Sequence, residues 1–342
     1  MSIENIKQKP VVTESPHIRS GNSTRGIMLD VAIALLPAVI AGVIIFGYRA
    51  AALTAVCVGV AVLSEWLWCK ILKKPSTISD FSAVVTGLLL AMNLPVTLPF
   101  WMGAAGSIFA IIIAKQFFGG IGHNFINPAL AARAFLLTSW AQQMTKWTQP
   151  FQRVAFLNNS DAVTSATPLA LLDSFNKGEI ASDGLCGYLD LFLGNSGGCI
   201  GEVSALALLL GAVYLLARRV ISLKIPAGYI LTVAAITYAF GGKDGLFTGD
   251  ALYHVLSGGL ILGAFFMATD YVTTPYTPKG QLVFGIGCGI LTAVIRLWGG
   301  YPEGVSYSIL LMNAATPLID KLTAPKRFGA VKPKKEASGD AK

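Results

Sequence analysis

Apolar residues in this chain fall in long runs rather than in alternation. The runs occupy about 27–47, 51–69, 81–95 and 101–118, with a shorter one at about 127–140. After a polar stretch over 141–200 they resume at about 201–217, 225–241, 251–269, 281–298 and 305–319. A straight helix needs roughly 20 apolar residues to span a bilayer, so the longer runs predict transmembrane helices. Runs 81–95, 127–140 and 305–319 are shorter. They predict broken or re-entrant helices, which are tolerated where they line a protein interior. The expected fold is all-α and polytopic, with about ten transmembrane helices, five on each side of the polar stretch.

The two halves match weakly. Gly87, Val96, Thr97 and Pro99 recur 176 residues later as Gly263, Val272, Thr273 and Pro275, and Phe118-Gly119-Gly120 recurs as Trp298-Gly299-Gly300. Two matches in the same order, flanked by similar apolar runs, point to a duplicated unit. A unit with five spans places its second copy in opposite topology. That is the inverted-repeat plan of many transport folds, whose sites lie where the repeats meet.

Composition strengthens the membrane reading. Of 342 residues, 54% are hydrophobic and 13% charged, and the mean hydropathy is +0.63. Soluble domains carry about 25% charged residues. The net charge of +8 sits at segment ends and tails, a placement that topology explains better than nucleic-acid binding does. Lys7, Lys9, Arg19, Arg25, Lys70, Lys73, Lys74, Arg218, Arg219, Lys224, Lys279 and the C-terminal lysines fall on one side. Arg49, Lys146, Arg153, Lys177, Lys243 and Arg296 fall on the other. By the positive-inside rule both termini are cytoplasmic and the 141–200 loop is extracytoplasmic. The expected division is a cytoplasmic tail 1–26, a first membrane repeat 27–140, the loop 141–200, a second repeat 201–320, and a basic cytoplasmic tail 321–342. No cleavable signal peptide is evident.

Candidate chemistry is sparse. Thr167-Pro168 followed by Leu169-Ala170-Leu171-Leu172 reads as a helix start with threonine as N-cap. In a surface loop that is an ordinary cap, but a helix N-terminus also favours a phosphate. The segment from Gly119 to Ala129 combines glycines with Asn124 and Asn127, whose amides offer donors and acceptors to a planar ring or, alternatively, cap a tight turn. Glu65 lies within an apolar run beside Trp66 and Trp68, either as a functional intramembrane charge or as an interfacial residue near a helix end. Asp270 adjoins the repeated Val-Thr-x-Pro break, where a carboxylate reads as a cation ligand or, alternatively, as a polar hinge or packing residue. Asp30 and Asp80 sit at expected helix starts and read as caps. The five cysteines are scattered without a C-x-x-C pair, and Cys186 and Cys199 share one loop as either a disulfide or free thiols. No Walker loop, H-E-x-x-H or Ser-His-Asp arrangement is visible.

Three stretches carry a resemblance: Asp161-Ala162-Val163-Thr164-Ser165-Ala166-Thr167, Gly119-Gly120-Ile121-Gly122-His123-Asn124 with Asn127-Pro128-Ala129, and Met28-Leu29-Asp30-Val31-Ala32 leading to Ala34-Leu35-Leu36-Pro37. With these the chain resembles, over residues 17–320, the RnfD/NqrB family. Its members are membrane components of the Rnf ion-translocating oxidoreductase and of the sodium-pumping NADH:quinone oxidoreductase. The length fits the RnfD branch better than the longer NqrB. The resemblance implies an FMN joined through its phosphate to Thr167. Asp161, Thr164, Ser165 and Ala166 complete the motif read by a flavin transferase, with Ser165 standing where glycine is common. It also implies a second, non-covalent riboflavin, for which Asn124 and Asn127 are the candidates, and an ion path, for which Asp270 and Glu65 are. The implied setting is the bacterial cytoplasmic (inner) membrane. There, electrons pass between ferredoxin and NAD through iron–sulfur and flavin partner subunits while Na+ or H+ is moved outward. The chain would then be one component of a translocase-type oxidoreductase, not a complete enzyme. The competing expectations are an NqrB-like component with quinone as acceptor and a cofactor-free inverted-repeat channel or transporter.

Overall fold

The computed structural model describes residues 23–151, 165–181, 184–243, 245–299 and 303–325. Asp161 and Thr164 of the motif, and most of both tails, lie outside the described residues. Among the described residues the chain is helical, with no strand.

Each helix start has a local cause. Ser23 accepts from the Gly26 amide and opens α1 (Thr24–Phe46). Gly47, at φ +78°, turns the chain into α2 (Tyr48–Ile71), a left-handed conformation that glycine adopts at no steric cost. Asp80 accepts from the Ser82 amide at 2.8 Å, fixing the entry to α3 (Ser82–Met92). α4 (Phe100–Ile108) continues through a π-helical stretch, Phe109–Gln116. Asn127 caps and Pro128 opens α5 (Pro128–Ser139).

The 141–200 stretch carries three short helices, α6 (Ala141–Met144), α7 (Pro168–Asn176) and α8 (Tyr188–Leu193). The second half begins with α9 (Ala205–Ala217), capped by Ser204, and α10 (Lys224–Phe240). It goes on with α11 (Ala251–Leu256) and α12 (Leu260–Leu262), which runs into a π-helical turn over Gly263–Met267. It closes with α13 (Pro278–Trp298) and α14 (Val305–Thr323).

Among the described residues, three helices are long and apolar enough to cross a membrane: α1, α2 and α13. In α1, Leu29, Ile33, Leu36, Ile40 and Ile44 are exposed at a spacing of three or four residues, while Ala34, Leu35, Ala38 and Ile45 are buried. Apolar side chains thus cover both faces. That suits a lipid-facing helix, since a water-facing one carries polar residues outside. The interior is one continuous apolar cluster drawn from both halves, from Leu35 and Leu90 to Phe284 and Ile309. Helix α2 packs on α3 and α4, α10 packs on α13, α1 lies along α9, and α5 touches α14.

Glycines permit the closest of these approaches. A Cβ at Gly87 of α3 would stand 2.7 Å from the Val58 Cα of α2. One at Gly211 of α9 would overlap the Ala34 carbonyl of α1.

Four expectations change. Run 251–269 is not one helix: it breaks at Ser257-Gly258-Gly259, with Gly258 at φ +64°. Run 305–319, expected to be short, extends to Thr323 despite Pro317 inside it. Asp30 is not a cap, because Ser23 opens the helix earlier. Asp30 is instead buried mid-helix, accepting from the Tyr214 hydroxyl at 2.9 Å and Arg218 at 3.3 Å. The end of the hydrophilic loop is buried too, with the Ile200 and Gly201 amides donating to the carbonyls of Leu94 and Met92.

Candidate functional site

Thr167 stands at the start of α7, its Oγ1 accepting from the Ala170 amide at 3.3 Å. The cap expected from Thr-Pro is therefore formed. Its setting differs from a surface loop, because Thr167 is only 7% exposed. Pro168 and Leu169 are buried beneath it, which draws the helix start into the protein. Two cavities flank it. The larger, ≈ 610 Å³ counting its mouth, is lined by Leu137, Met144, Trp147 and Tyr307, with Arg133 and Glu303 on its wall. The smaller, ≈ 350 Å³, is lined by Ser196, Gly197, Gly198 and Ser257.

Polar atoms around Thr167 are left over. The hydroxyls of Thr148, Ser165 and Ser257 are buried with no hydrogen-bond partner among the described residues. Gly197 lies against the Ser165 hydroxyl and the Thr148 backbone. A Cβ there would meet Ser165 Oγ and the carbonyls of Thr148 and Ala166. Buried hydroxyls normally find partners, so a group of orphaned ones beside a helix N-terminus is chemically matched to a group rich in acceptor oxygens, such as a phosphate.

Asn124, Asn127 and Asp270 meet in a different cavity, ≈ 800 Å³ counting its mouth and mostly apolar, with Lys115 and Ser82 also on its wall. Asn127 spends its Oδ1 on the Ala129 and Leu130 amides and its Nδ2 on the Met267 carbonyl at 3.4 Å. Asn124 donates to the Ile126 carbonyl at 3.2 Å. The turn-capping reading therefore holds for Asn127, yet both residues line the cavity. Asp270 accepts from the Val272 amide at 3.5 Å and the Thr273 hydroxyl at 3.4 Å.

Glu65 is fully buried rather than interfacial. It pairs with Lys115 at 2.9 Å and also accepts from Thr77 at 2.6 Å and Gln116 at 3.0 Å. Both Lys115 and Gln116 come from the π-helical end of α4, where the altered turn brings two successive side chains onto one carboxylate.

Between the two regions runs α5, with Asn127 at its start in one cavity and Arg133 at the wall of the other. The Arg133 guanidinium donates to Asn93 Oδ1 at 2.8 Å, to Glu202 at 3.1 Å and to Glu303. Cys199, Glu202 and Glu303 bring ligand atoms within 4.8 Å of one another. The arginine stands among them, however, and its charge does the work a cation would.

A family model described as the NQR2, RnfD, RnfE family matches residues 11–329. The chain belongs to this family. It is 53% identical over 328 residues to the D component of the Na+-translocating ferredoxin:NAD+ oxidoreductase complex of Acetobacterium woodii, covering 95% of this chain and 97% of that one. It is 48% identical over 322 residues to the D component of the proton-translocating ferredoxin:NAD+ oxidoreductase complex of Clostridium ljungdahlii, covering 93% and 96%. With the D component of an ion-translocating oxidoreductase complex from Stutzerimonas stutzeri it shares 42% identity over 328 residues, covering 90% and 93%.

Within this family member, the sequence picked out Thr167, Asn124, Asn127, Asp270 and Glu65. The structure brings the last four to one region and sets Thr167 apart in another. Sequence reading missed the orphaned hydroxyls, because Thr148 and Ser257 are distant from Thr167 along the chain and carry no motif. It missed Lys115 and Glu202 as well, although each is a lone charge inside or beside an apolar run, the signal that singled out Glu65. Cys186 and Cys199 are free thiols, and partial burial pushes the Cys186 thiol up.

Proposed function

We propose that this chain is the RnfD component of an ion-translocating ferredoxin:NAD+ oxidoreductase and carries FMN as a phosphoester on Thr167. Near-complete coverage of relatives bearing that name supports the first part. The second is supported by orphaned hydroxyls near the N-terminus of α7: that of Ser165, two residues before Thr167, and that of Ser257, on the wall of the smaller cavity with it. Flavin chemistry supplies what such a complex needs, since a flavin exchanges electrons singly or in pairs. The residues of this chain would hold it. Thr167 Oγ1 would carry the phosphate, with Thr148, Ser165 and Ser257 as the hydroxyl donors available to it. Leu137, Met144 and Trp147 would supply an apolar wall that excludes water, and Arg133 a positive charge.

A non-covalent riboflavin would be held at the second cavity, whose wall offers Asn124 as a polar partner and Phe265, Phe266 and Leu89 as apolar surface for a ring. The ten membrane segments, five before the loop and five after, are read as inverted repeats with their breaks after α3 and after α12. Both termini are then cytoplasmic and Thr167 faces outward. Glu65 and Asp270 remain the ion-path residues, with Glu65 released from Lys115 before it can bind a cation. Iron–sulfur and flavin subunits, and a flavin transferase, complete the set of partners.

The test is electron transfer by the purified complex. Reduced ferredoxin should drive NAD+ reduction coupled to Na+ or H+ movement, and Thr167→Ala should abolish it. Reduction of quinone from NADH, with no ferredoxin activity, would assign the chain to the quinone-reducing branch.

A further inference from the structure

A further cavity takes no part in the proposed electron transfer. It measures ≈ 1300 Å³ counting its mouth and lies between α7, α11 and the ends of α10 and α13. Arg296 is at its inner wall, 8% exposed. Its guanidinium donates to three backbone carbonyls, those of His254 at 2.5 Å, Ser257 at 3.2 Å and Glu303 at 3.4 Å. Among the described residues it forms no salt bridge.

His254 lines the same cavity, is 4% exposed, and has no hydrogen-bond partner on either ring nitrogen among the described residues. A neutral imidazole offers one donor and one acceptor, and leaving both unmet in a protein interior is unfavourable. The mouth holds the exposed pair Lys177–Asp173 at 2.6 Å, so the acid there is already paired, whereas Arg296 meets only carbonyls directly, with Glu303 and Glu202 acting on it from further away.

The rim indicates where a ligand would come from. Phe240 and Trp298 end α10 and α13 side by side, with ring centroids 6.0 Å apart, and are 54% and 64% exposed. Helix α13 is long and apolar enough to cross a membrane, so Trp298 falls at its boundary, the level where tryptophan concentrates. A polar, cationic cavity opening beside an aromatic rim at that level suits an amphiphile, with its tail in the bilayer and its head inside.

We propose that this cavity binds the headgroup of an anionic phospholipid. The phosphodiester would accept from Arg296 and from the His254 N–H, and a headgroup hydroxyl would donate to the other ring nitrogen. A phosphatidylglycerol has both groups. Phosphatidylcholine has neither the net charge nor the hydroxyl. The site adjoins the smaller Thr167 cavity across Leu169 but does not rest on the flavin reading.

Native mass spectrometry of the intact, lipid-depleted complex can decide it, reading lipid retained by this chain in titrations with phosphatidylglycerol, with phosphatidylcholine and with inorganic phosphate. Phosphatidylglycerol should bind about tenfold tighter than phosphatidylcholine, a difference one good charge-assisted contact can supply, and inorganic phosphate should not displace it. Arg296→Gln should erase that preference. Because Arg296 also ties three carbonyls together, two milder variants guard the test. Lys177→Glu, at an exposed position, and His254→Phe, which replaces the ring with one that cannot hydrogen-bond, should each weaken phosphatidylglycerol several-fold. The proposal is overturned by equal binding of the two lipids, or by phosphatidylglycerol binding unchanged in both milder variants. Displacement by inorganic phosphate would overturn it in favour of a soluble-anion site. A cross-link from position 177 to another protein of the complex, in place of lipid, would overturn it in favour of a protein contact.

Discussion

At the scale of single residues, the buried charges are the most constrained features of the chain. Glu65 and Lys115 are each almost without solvent contact, and removing one member of such a pair strands the other. Lys115→Met should therefore destabilise by roughly 3–5 kcal/mol, while the double change Glu65→Gln with Lys115→Met should cost much less. A thermal-unfolding cycle on the two single variants and the double variant measures this, and additive losses would refute the pairing. The cap on α7 and the proposed phosphoester both fall on the Thr167 hydroxyl. Thr167→Ala should lose the cap, at about 1 kcal/mol, as well as the phosphoester. Thr167→Ser retains a hydroxyl and should restore the stability. Glu65 and Thr167 were legible in sequence because a lone charge and a Thr-Pro start are local signals. Most of their partners were not, since Lys115 and the Thr148 and Ser257 hydroxyls are assembled only by tertiary packing.

Among the elements, the apolar runs marked nearly every helix outside the 141–200 loop, because a run long enough to span has few other ways to satisfy its backbone in lipid. The exception is 251–269, where Gly258-Gly259 sits inside continuous hydrophobicity and breaks it. The break has a use: it places Ser257 beside Thr167 and the His254 and Ser257 carbonyls on Arg296. Helix contacts made through glycine were invisible beforehand, since many glycines in such a chain touch nothing. Gly87 and Gly59 show the difference. A Cβ at Gly87 would press on the α2 backbone, whereas one at Gly59 meets open space. Gly87→Leu should lower the melting temperature of the detergent-solubilised protein by an amount equal to about 1–3 kcal/mol. Gly59→Ala should leave it unchanged or raise it, as alanine outranks glycine in helices.

For the molecule as a whole, the duplicated pattern and the charge bias together underlie the proposed orientation, with both termini cytoplasmic. Helix α1 lies along α9 and α5 touches α14, so both halves contribute to one shared interior. The orientation is open to direct test. A cysteine placed at the exposed Glu179 should react with a membrane-impermeant maleimide from the extracytoplasmic side of intact cells. Labelling only after the cells are opened would reverse the topology and move the Thr167 cavities to the cytoplasmic side.

The central claim is the phosphoester on Thr167, and one measurement reaches it most directly. The chain is produced in a host that has the flavin transferase, denatured, separated by electrophoresis and viewed under ultraviolet light, with its intact mass taken in parallel. The expected result is a fluorescent wild-type band heavier than the bare chain by one FMN less one water, and a dark Thr167→Ala band of unmodified mass. A dark wild-type band of unmodified mass, or fluorescence that survives in Thr167→Ala, would contradict it.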